Sequence, residues 1–189
     1  MTRKSQIPET MRAVFVEKPE GRLVVREASV PLPRAGEVLI KIAAAPVNPS
    51  DISRLRNLSG ELDYDTFIPG LEGSGRVIAA GKGLLPGLWK GRRVACTSYY
   101  AHSGTWAEYM VTKAGMCFPL KRGVSDEQGA MSLVNPLTAL AFFEIISKGR
   151  HRAVINNPGA SALGRMIELL GKKKGVKVIN LVRDSIQAE

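Results

Sequence analysis

The segment from residue 153 to residue 183 constrains the fold more than any other part of the sequence. Residues 153–157 form a short apolar run with polar ends, typical of a buried strand, and residues 177–182 repeat that pattern. Between them lie a turn of small residues, 158–164, and then apolar residues at helical spacing. A strand, a glycine-containing turn, a helix and a second strand in this order predict a βαβ unit.

The turn of this βαβ unit has the properties of a phosphate-binding site. The first amides of a helix have no partner within the helix, and the helix dipole places partial positive charge there. Small residues would let a pyrophosphate approach the backbone, although the middle glycine of the Gly-x-Gly-x-x-Gly fingerprint is replaced by serine. A βα turn without a ligand is the alternative. The candidate cofactor-binding residues of the turn are Gly159, Ala160, Ser161, Ala162, Leu163 and Gly164.

The residue that ends the second strand indicates which dinucleotide would bind. Sites for NAD place an acidic residue there to bond the ribose 2′-hydroxyl, whereas sites for NADP use a basic residue for the 2′-phosphate. In this chain the strand ends at Arg183, which is followed by Asp184. We therefore predict NADP as the cofactor, and a solvated surface arginine is the alternative for Arg183.

Length and charge limit the remaining possibilities. A complete doubly wound sheet has about six strands, and the residues after position 153 provide for two, so we expect an incomplete dinucleotide-binding domain. The 189 residues carry a net charge of +10, from 27 Lys and Arg against 17 Asp and Glu. The charges are spread along the chain, with dense groups at 148–152 and 172–174 where predicted helices end. Solvated faces explain them, so nucleic acid is not the expected partner.

The two cysteines and the absence of long apolar runs indicate a soluble protein of the cytoplasm. Cys96 and Cys117 have neither the number of a disulfide framework nor metal-ligand spacing, and both fall in strand-like segments, where we expect buried thiols. The sequence has no run of membrane-spanning length, and its first ten residues lack the apolar core of a signal peptide.

Many short strands separated by Gly and Pro turns precede the βαβ unit and predict a β-barrel or compact β-domain. Alternation around Val38 and Ile40 predicts a strand with one buried face. The other predicted strands are 11–16, 23–26, 76–79, 93–97 and 104–112, and residues 81–91 are predicted as a turn region.

Helical signals begin at Ser125. A capping box over residues 125–128 predicts one helix, and Asn135 followed by Pro136 predicts the cap and first position of a second helix over residues 137–147. The predicted organisation is a β-domain at 1–124, bridging helices at 125–152 and an incomplete dinucleotide-binding domain at 153–189.

Five motifs in order resemble one known family, the medium-chain dehydrogenases/reductases. The chain is most similar to the zinc-free branch, which contains quinone oxidoreductases and mitochondrial-type 2-enoyl thioester reductases. The motifs are Pro46-Val-Asn-Pro-Ser-Asp51, Pro69-Gly-Leu-Glu-Gly-Ser-Gly75, Gly91-Arg-Arg-Val94, Gly104-Thr-Trp-Ala-Glu-Tyr109 and Asn135-Pro-Leu-Thr-Ala139.

The resemblance implies a fold and an activity. The expected fold is an α+β chain, with a GroES-like β-barrel domain followed by the first βαβ unit of a Rossmann domain and the cofactor in the cleft between them. The implied activity is hydride transfer from NADPH to an enoyl thioester, an enone or a quinone, by a protein that is a homodimer at full length. Where zinc-binding members have their ligands, this chain has Asn48 or its neighbours, Leu71, and Val134 or Asn135, which are poor zinc ligands.

The resemblance also implies site residues. Asn48 and Asp51 would line the nicotinamide side of the cleft, with loop and helix capping as the alternative role for each. Thr138 would lie near the nicotinamide ring, and its alternative role is a helical threonine that bonds back to a carbonyl. Thioester reductases use a tyrosine shortly after the Asn-Pro-Ser-Asp motif; its place here is near Ser59, and Tyr64 is the nearest tyrosine.

Three functional hypotheses follow. The first is a zinc-independent NADPH-dependent reductase, in which Asn48, Tyr64 and backbone amides are the available donors to developing oxygen charge. The second is a catalytically inactive fragment that serves as a binding or interaction module. The third is a basic β-barrel that binds single-stranded nucleic acid. Because most of the second sheet lies outside these 189 residues, we expect the isolated chain to bind NADPH poorly.

Overall fold

The computed structural model describes residues 7–17, 22–56, 67–184 and 186. It divides into two compact units, Met1–Met131 and Ser132–Glu189, which we call unit 1 and unit 2. The domain boundaries predicted from the sequence stay predictions.

The described residues of unit 1 form seven strands. A two-stranded antiparallel pair, β1 with β2, accompanies a five-stranded antiparallel sheet in the order β6-β3-β4-β5-β7. The strands are β1 Thr10–Glu17, β2 Arg22–Ser29, β3 Glu37–Ala44, β4 Glu72–Ala80, β5 Arg93–Thr97, β6 Tyr109–Lys113 and β7 Cys117–Pro119.

Strand β3 is buried on both faces in its first half. Val38 and Ile40 belong to one apolar cluster and Leu39 to another, and all three side chains are fully buried. The prediction that this strand has one buried face is therefore wrong for its first half, whereas the second half alternates as predicted, with Lys41 and Ala43 exposed and Ile42 half-buried. The reason is its position, because β4 and β6 pair with its two edges and apolar side chains cover both faces.

The second half of the glycine-rich motif, residues 72–75, is part of β4, so the strand begins earlier than the predicted 76–79. At Gly75, an added Cβ would lie 2.1 Å from the carbonyl oxygen of Lys41, and at Gly73 it would lie 3.0 Å from that of Ala44. Gly73 and Gly75 therefore let β4 approach β3 closely.

The residues before β6 connect the β1–β2 pair to the larger sheet. The amide of Val14 donates to the carbonyl of Trp106 at 2.9 Å, and the amide of Glu108 donates to that of Arg12 at 3.0 Å. Regular strand structure begins only at Tyr109, so the strand predicted over 104–112 is correct in its second half alone.

Three α-helices also occur in the described residues of unit 1: α1 Pro49–Arg56, α2 Leu84–Trp89 and α3 Asp126–Ala130. The predicted capping box of α3 is confirmed, since Ser125 and Gln128 exchange both hydrogen bonds. The turn predicted over 81–91 contains α2, whose last residue, Trp89, packs against the apolar core and donates from Nε1 to the carbonyl of Ala114 at 2.9 Å.

Unit 2 contains the predicted βαβ unit. Helix α4, Val134–Lys148, leads to β8, Ala153–Asn156, and helix α5, Ala162–Lys174, connects β8 to the parallel strand β9, Lys177–Asn180. Helix α5 ends at Gly175 in the left-handed conformation, which glycine adopts without strain.

The predicted start of α4 is wrong. The helix already includes Val134, and Leu133 is its N-cap residue, so Asn135 lies inside the first turn and is not the N-cap residue. Pro136 remains compatible with the helix because first-turn amides need no partner within it.

The core of unit 2 lies between its two helices and one face of its two strands. Phe143 of α4 and Ile167 of α5 are buried there, with Val154 and Val178 of the strands packed against them. The next residues along the strands, Ile155 and Ile179, are exposed.

Two remaining sequence expectations concern cysteines and membranes. Cys96 and Cys117 are both free and buried, as predicted. Within the described ranges, each helix is too short or too polar to span a lipid bilayer.

Candidate functional site

The Asn48 loop, residues 46–51 of unit 1, is held by the carboxylate of Asp51. Its Oδ2 accepts from the amide of Asn48 at 2.8 Å, and its Oδ1 accepts from the amide of Leu71 at 3.0 Å. Asn48 precedes α1, so the first of these bonds is the half of a capping box in which a first-turn side chain bonds the N-cap amide. Asp51 thus fixes the start of α1 and ties it to the segment before β4.

A residue that sequence reasoning missed completes this network. Glu72 is fully buried, and its Oε1 accepts from Nδ2 of Asn48 at 2.8 Å. The hydroxyl of Thr105 donates to the Glu72 carbonyl at 2.7 Å, so the backbone of this residue is anchored too. An acidic residue among small residues of a glycine-rich motif was the signal that could have identified it.

The structure therefore brings two of the three predicted catalytic residues together. Asn48 and Asp51 are both buried and joined by hydrogen bonds, with Glu72 as a third member. These contacts are those of loop and helix capping, and the predicted roles next to a nicotinamide stay predictions. Tyr64 lies outside the described residues.

An apolar hollow of about 390 Å³ lies beside the Asn48 loop, entirely within unit 1. Val47 of the loop and Ile52, which follows it, line the hollow together with Ala45, Trp106 and side chains of the β1–β2 pair. Trp106 is fixed there because its Nε1 donates to the carbonyl of Pro46 at 3.0 Å.

The phosphate turn, residues 158–164 of unit 2, lies against the end of β9. The amide of Gly159 donates to the carbonyl of Leu181 at 2.8 Å, and a Cβ at Gly159 would lie 2.6 Å from the Cβ of Asn180. A Cβ at Gly164 would lie 2.3 Å from the carbonyl oxygen of Gly159. Both glycines are therefore required by close packing, as their places in the predicted motif suggest.

The N-terminus of α5 retains amides that could bind an anion. Ser161 is the N-cap residue, and its Oγ accepts from the amide of Gly164 at 2.9 Å. In the described part of the chain, the amides of Ala160, Ala162 and Leu163 make no hydrogen bond. Ala162 is also exposed, so the helix end is accessible within unit 2.

A side-chain network below the turn was not predicted. Nδ2 of the buried Asn156 donates to the Gly164 carbonyl at 3.0 Å and to Oδ1 of Asn180 at 2.7 Å. Nδ2 of Asn180 donates to Glu168 at 3.1 Å, and Glu168 pairs with Lys172 at 2.8 Å. Hydrogen bonding from Lys172 and its charge, with the bond from Asn180, lower the pKa of Glu168.

The network was hard to predict because polar residues at strand ends are common. Asn156 and Asn180 are register partners at the carboxyl ends of β8 and β9, so they are the residues nearest the turn on each strand. Each asparagine is the fourth residue of its strand, and this shared position was the one sequence feature that could have indicated the pair.

Arg183 and Thr138 are the remaining predicted cofactor residues. Arg183 is exposed, but the prediction that the strand ends at this residue is wrong, because β9 ends three residues earlier, at Asn180. Arg183 lies two residues after Leu181, whose carbonyl accepts from the Gly159 amide, so it lies at the same edge of the sheet as the phosphate turn. Thr138 is in α4, where its Oγ1 donates to the carbonyl of Val134 at 2.7 Å. That bond is the alternative role expected from the sequence, and a contact of Thr138 with a nicotinamide stays a prediction.

Neither unit offers a recognisable metal site in its described residues. Groups of three or more His, Cys, Asp or Glu side chains that could hold an ion do not occur among them. Asn48 and Leu71, at positions where zinc-binding relatives are expected to have ligands, instead bind Asp51 through their backbone amides.

Comparison with known proteins gives a consistent result. Residues 34–122 match the alcohol dehydrogenase GroES-like domain. The chain is 31% identical over 183 residues to the mitochondrial enoyl-acyl-carrier-protein reductase of Arabidopsis thaliana, and the match covers 94% of this chain and 47% of that protein. The chain thus spans about half the length of the curated relatives it matches.

Solved structures resemble the whole described fold. A candidate NADPH:quinone reductase from Mesorhizobium loti superposes with a TM-score of 0.87 at 34% identity, covering 96% of this chain and 57% of that one. The mycobacterial protein Rv1454c, solved in complex with NADPH, gives a TM-score of 0.80 at 28% identity and covers 94% and 54%.

Proposed function

Because the chain belongs to the medium-chain dehydrogenase/reductase superfamily, we propose that it serves the zinc-independent, NADPH-dependent reduction of an activated double bond or a quinone. Its fold class is the one predicted, a GroES-like domain followed by a βαβ unit of Rossmann type. The observation that carries the proposal is the phosphate turn, where close-packed glycines leave backbone amides available at the start of α5.

The residues of the turn fit a dinucleotide phosphate. The amides of Ala160, Ala162 and Leu163 are donors without partners in the described chain, and the positive end of the α5 dipole lies among them. Ser161 supports this arrangement by holding the amide of Gly164, which keeps the first turn of α5 in helical form. The turn would bind the pyrophosphate through its backbone.

Arg183 supports a preference for NADPH over NADH. Arg183 comes shortly after the end of β9 in the chain, and dinucleotide-binding folds bind the ribose 2′-phosphate near this strand end. Arginine binds phosphate through paired charge-assisted hydrogen bonds, which a neutral ribose hydroxyl could not match. Bound NADPH would supply the hydride, while this chain's residues orient its phosphates.

In unit 1, the Asn48 loop would hold its groups in one arrangement before substrate binds. Asp51 and Glu72 fix the Asn48 backbone and carboxamide, so little reorganisation would be needed when a substrate oxygen gains charge. Tyr64 is proposed as a proton donor, on the resemblance alone. Relatives named as enoyl-acyl-carrier-protein and quinone reductases support an enoyl thioester, an enone or a quinone as acceptor.

The proposal is tested by NADPH binding and turnover in the purified chain. Fluorescence titration should detect NADPH binding, weakly if residues beyond these 189 complete the adenine pocket. NADPH oxidation should then be followed with a short enoyl thioester, an enone and a naphthoquinone, each with and without a strong chelator. Turnover that survives chelation supports a zinc-independent reductase, and turnover abolished by chelation and restored by zinc contradicts it.

A matched pair of variants tests the role of Arg183. Arg183→Ala should weaken NADPH binding at least about tenfold, because charge-assisted hydrogen bonds are worth about 1.5–3 kcal/mol each. NADH binding should stay unchanged. Arg165→Ala removes an exposed arginine of α5 instead and should affect neither cofactor. Equal loss of NADPH and NADH binding in Arg183→Ala would refute the 2′-phosphate assignment.

A second candidate function is a non-catalytic binding module. It is favoured by unit 1, whose described residues form apolar clusters of their own. NADPH binding without turnover on any acceptor class would favour this function over the reductase.

A further inference from the structure

Outside the candidate site, the two cysteines of the chain lie directly opposite each other. Cys96 of β5 and Cys117 of β7 are register partners in an antiparallel pair, and both are free and buried in the same apolar cluster. We propose that they form a dithiol which a low-molecular-weight disulfide, such as oxidised glutathione, converts into an intramolecular disulfide.

The hydrogen-bond pattern of the sheet shows what kind of pair they form. The amide of Ser98 donates to the carbonyl of Leu71 at 2.8 Å, so these two opposed residues form a hydrogen-bonded pair. Hydrogen-bonded and non-hydrogen-bonded pairs alternate along antiparallel strands, so Cys96 and Gly73, two positions further along, are also a hydrogen-bonded pair between β5 and β4. The amide and carbonyl of one strand residue point to the same side, so those of Cys96 point toward β4 and away from β7.

The hydrogen bonds at the other edge of β5 show independently that the backbone of Cys96 does not bond to β7. There the amide of Leu120 donates to the carbonyl of Arg93 at 3.1 Å, and alternation from this bond makes Cys96 and Cys117 a non-hydrogen-bonded pair. Pro119, which has no amide hydrogen, is opposite Val94, another non-hydrogen-bonded place.

This pair type brings the two thiols within bonding reach. Directly opposed residues of a non-hydrogen-bonded pair have Cα atoms about 4.5 Å apart and their side chains on one face. Disulfides span Cα separations of about 4.4–6.8 Å. The disulfide can therefore form with the strand register unchanged.

Burial makes the reaction slow and determines how it begins. Burial raises the pKa of Cys96 well above its ordinary value, and it raises the pKa of Cys117 to about 12. Few thiolates form in the closed sheet, and an oxidant has little access to either sulfur. Since β7 is a three-residue strand at the sheet edge, its transient opening is the step that exposes Cys117.

The chemistry balances as two successive exchanges. The thiolate of Cys117 attacks one sulfur of oxidised glutathione, giving a mixed disulfide and releasing one glutathione thiolate. The thiolate of Cys96 then attacks the Cys117 sulfur and displaces the second glutathione. The protein dithiol loses two electrons and two protons, and one small disulfide becomes two thiols.

Oxidation would reach the neighbourhood of the candidate site. The Sγ of Cys96 donates to the carbonyl of Gly73 at 3.4 Å, and Gly73 follows Glu72, which holds Asn48. The disulfide removes this thiol donor and ties β7 to β5. We therefore expect the oxidised chain to resist opening of the edge strand more than the reduced chain.

The test is equilibration of the intact chain in buffers of reduced and oxidised glutathione. Thiols are counted after acid quenching and denaturation, and linked peptides are identified by mass spectrometry. We expect both thiols to be lost together within one chain, with a peptide joining positions 96 and 117. Persistence of both thiols in the folded chain, when the urea-unfolded chain oxidises, would overturn the proposal, as would a product that stops at glutathione adducts or links two chains.

Kinetics and variants separate the pair from two unrelated thiols. The oxidation rate should level off as oxidised glutathione increases, because strand opening becomes limiting, and urea below the unfolding transition should speed it. Cys96→Ser should stop at a mixed disulfide on Cys117, while Cys117→Ser should stay reduced. The oxidised wild type should melt higher than its reduced form, and the Cys96→Ala and Cys117→Ala double variant should show no such shift.

Discussion

The Asn48 loop of unit 1 and the phosphate turn of unit 2 are organised in opposite ways. Around Asn48, buried side chains are the hydrogen-bond acceptors. The Asp51 carboxylate accepts from two backbone amides, and the Glu72 carboxylate accepts from the Asn48 carboxamide. In the phosphate turn, backbone amides are the available donors, and Gly159 and Gly164 allow the close packing that positions them.

This difference predicts different responses to substitution. A change in the Asn48 network should chiefly reduce stability, because it leaves buried polar groups without partners. A change in the phosphate turn should chiefly reduce NADPH binding. Trp89 and Trp106, the two tryptophans of the chain, both lie in unit 1, so tryptophan fluorescence follows the unfolding of that unit.

The largest effect should come from Asp51→Ala, which leaves the amides of Asn48 and Leu71 without their acceptor. Each unsatisfied buried donor costs about 1–3 kcal/mol, so we expect a loss of about 3 kcal/mol in the free energy of unfolding of unit 1. Urea titration followed by tryptophan fluorescence measures it. Asp51→Asn keeps one acceptor oxygen and should lose about half as much. An alanine variant as stable as wild type would show that the network does not hold the loop.

Gly164→Ala should have the largest effect in unit 2. The new Cβ would lie 2.3 Å from the carbonyl oxygen of Gly159 and 2.5 Å from that of Pro158, both backbone atoms of the phosphate turn. We expect the turn to shift and NADPH affinity to fall at least about tenfold, with an overpacking cost of about 1–3 kcal/mol confined to unit 2.

The control for Gly164→Ala is Gly115→Ala, where an added Cβ meets no atom within 4 Å. Fluorescence titration with NADPH should distinguish the two variants, while tryptophan-detected unfolding of unit 1 should be unchanged in both. Wild-type NADPH affinity in Gly164→Ala would contradict the proposed role of the turn.

Ser161 allows capping and phosphate binding to be separated. Ser161→Ala removes the cap of α5 and should cost about 1 kcal/mol, measured as helix melting by circular dichroism. Ser161→Asp restores a capping oxygen but adds negative charge beside the amides proposed for the phosphates. We expect near wild-type melting and weaker NADPH binding in this variant. Unchanged NADPH binding in Ser161→Asp would place the phosphates elsewhere.

The sequence predicted elements whose signals are local. The capping box at Ser125 is confirmed because its two hydrogen bonds join residues three positions apart. The positions of β8 and β9 are confirmed, but the prediction that both strands are buried is correct for one face only: Val154 and Val178 pack against the helices, whereas Ile155 and Ile179 are exposed. In both cases the residues that give the signal also make the contacts.

Elements that depend on distant parts of the chain could not be predicted in this way. The extension of β4 back to Glu72 depends on β3, whose backbone lies against Gly73 and Gly75. The hydrogen-bond network around Asn48 could not be predicted for the same reason, because Glu72 is 24 positions away in the sequence and meets Asn48 only in the folded chain. The phosphate turn was predictable because it is local, whereas Asn156 and Asn180 meet only after β8 and β9 pair.

The smallest effect should come from a side-chain pair at the periphery of unit 1. The Tyr100 hydroxyl donates to Oε1 of Glu37 at 2.5 Å, and the Arg34 amide donates to its Oε2 at 2.8 Å. Burial raises the pKa of Glu37, but these hydrogen bonds, with the charges of Arg34 and Lys113, outweigh burial and lower it below 4.5.

A carboxyl group whose pKa is lowered by folding contributes stability above its ordinary pKa, and the contribution is lost as the pH falls through the folded value. Tyr100→Phe removes one donor, so the variant should be slightly less stable at neutral pH and should lose less stability on acidification than wild type. Tryptophan-detected urea unfolding at several pH values from neutral to below 4.5 measures this.

Tyr99→Phe is the matched control, because the phenylalanine ring keeps the edge-on packing against Tyr100 and the contact with the Lys113 ammonium, while the bond from Tyr100 to Glu37 stays in place. Its stability should follow the wild-type pH dependence. If Tyr100→Phe also followed the wild-type curve, Glu37 would be held by the backbone alone, and side-chain pairing would then be a property of the Asn48 network and not of unit 1 as a whole.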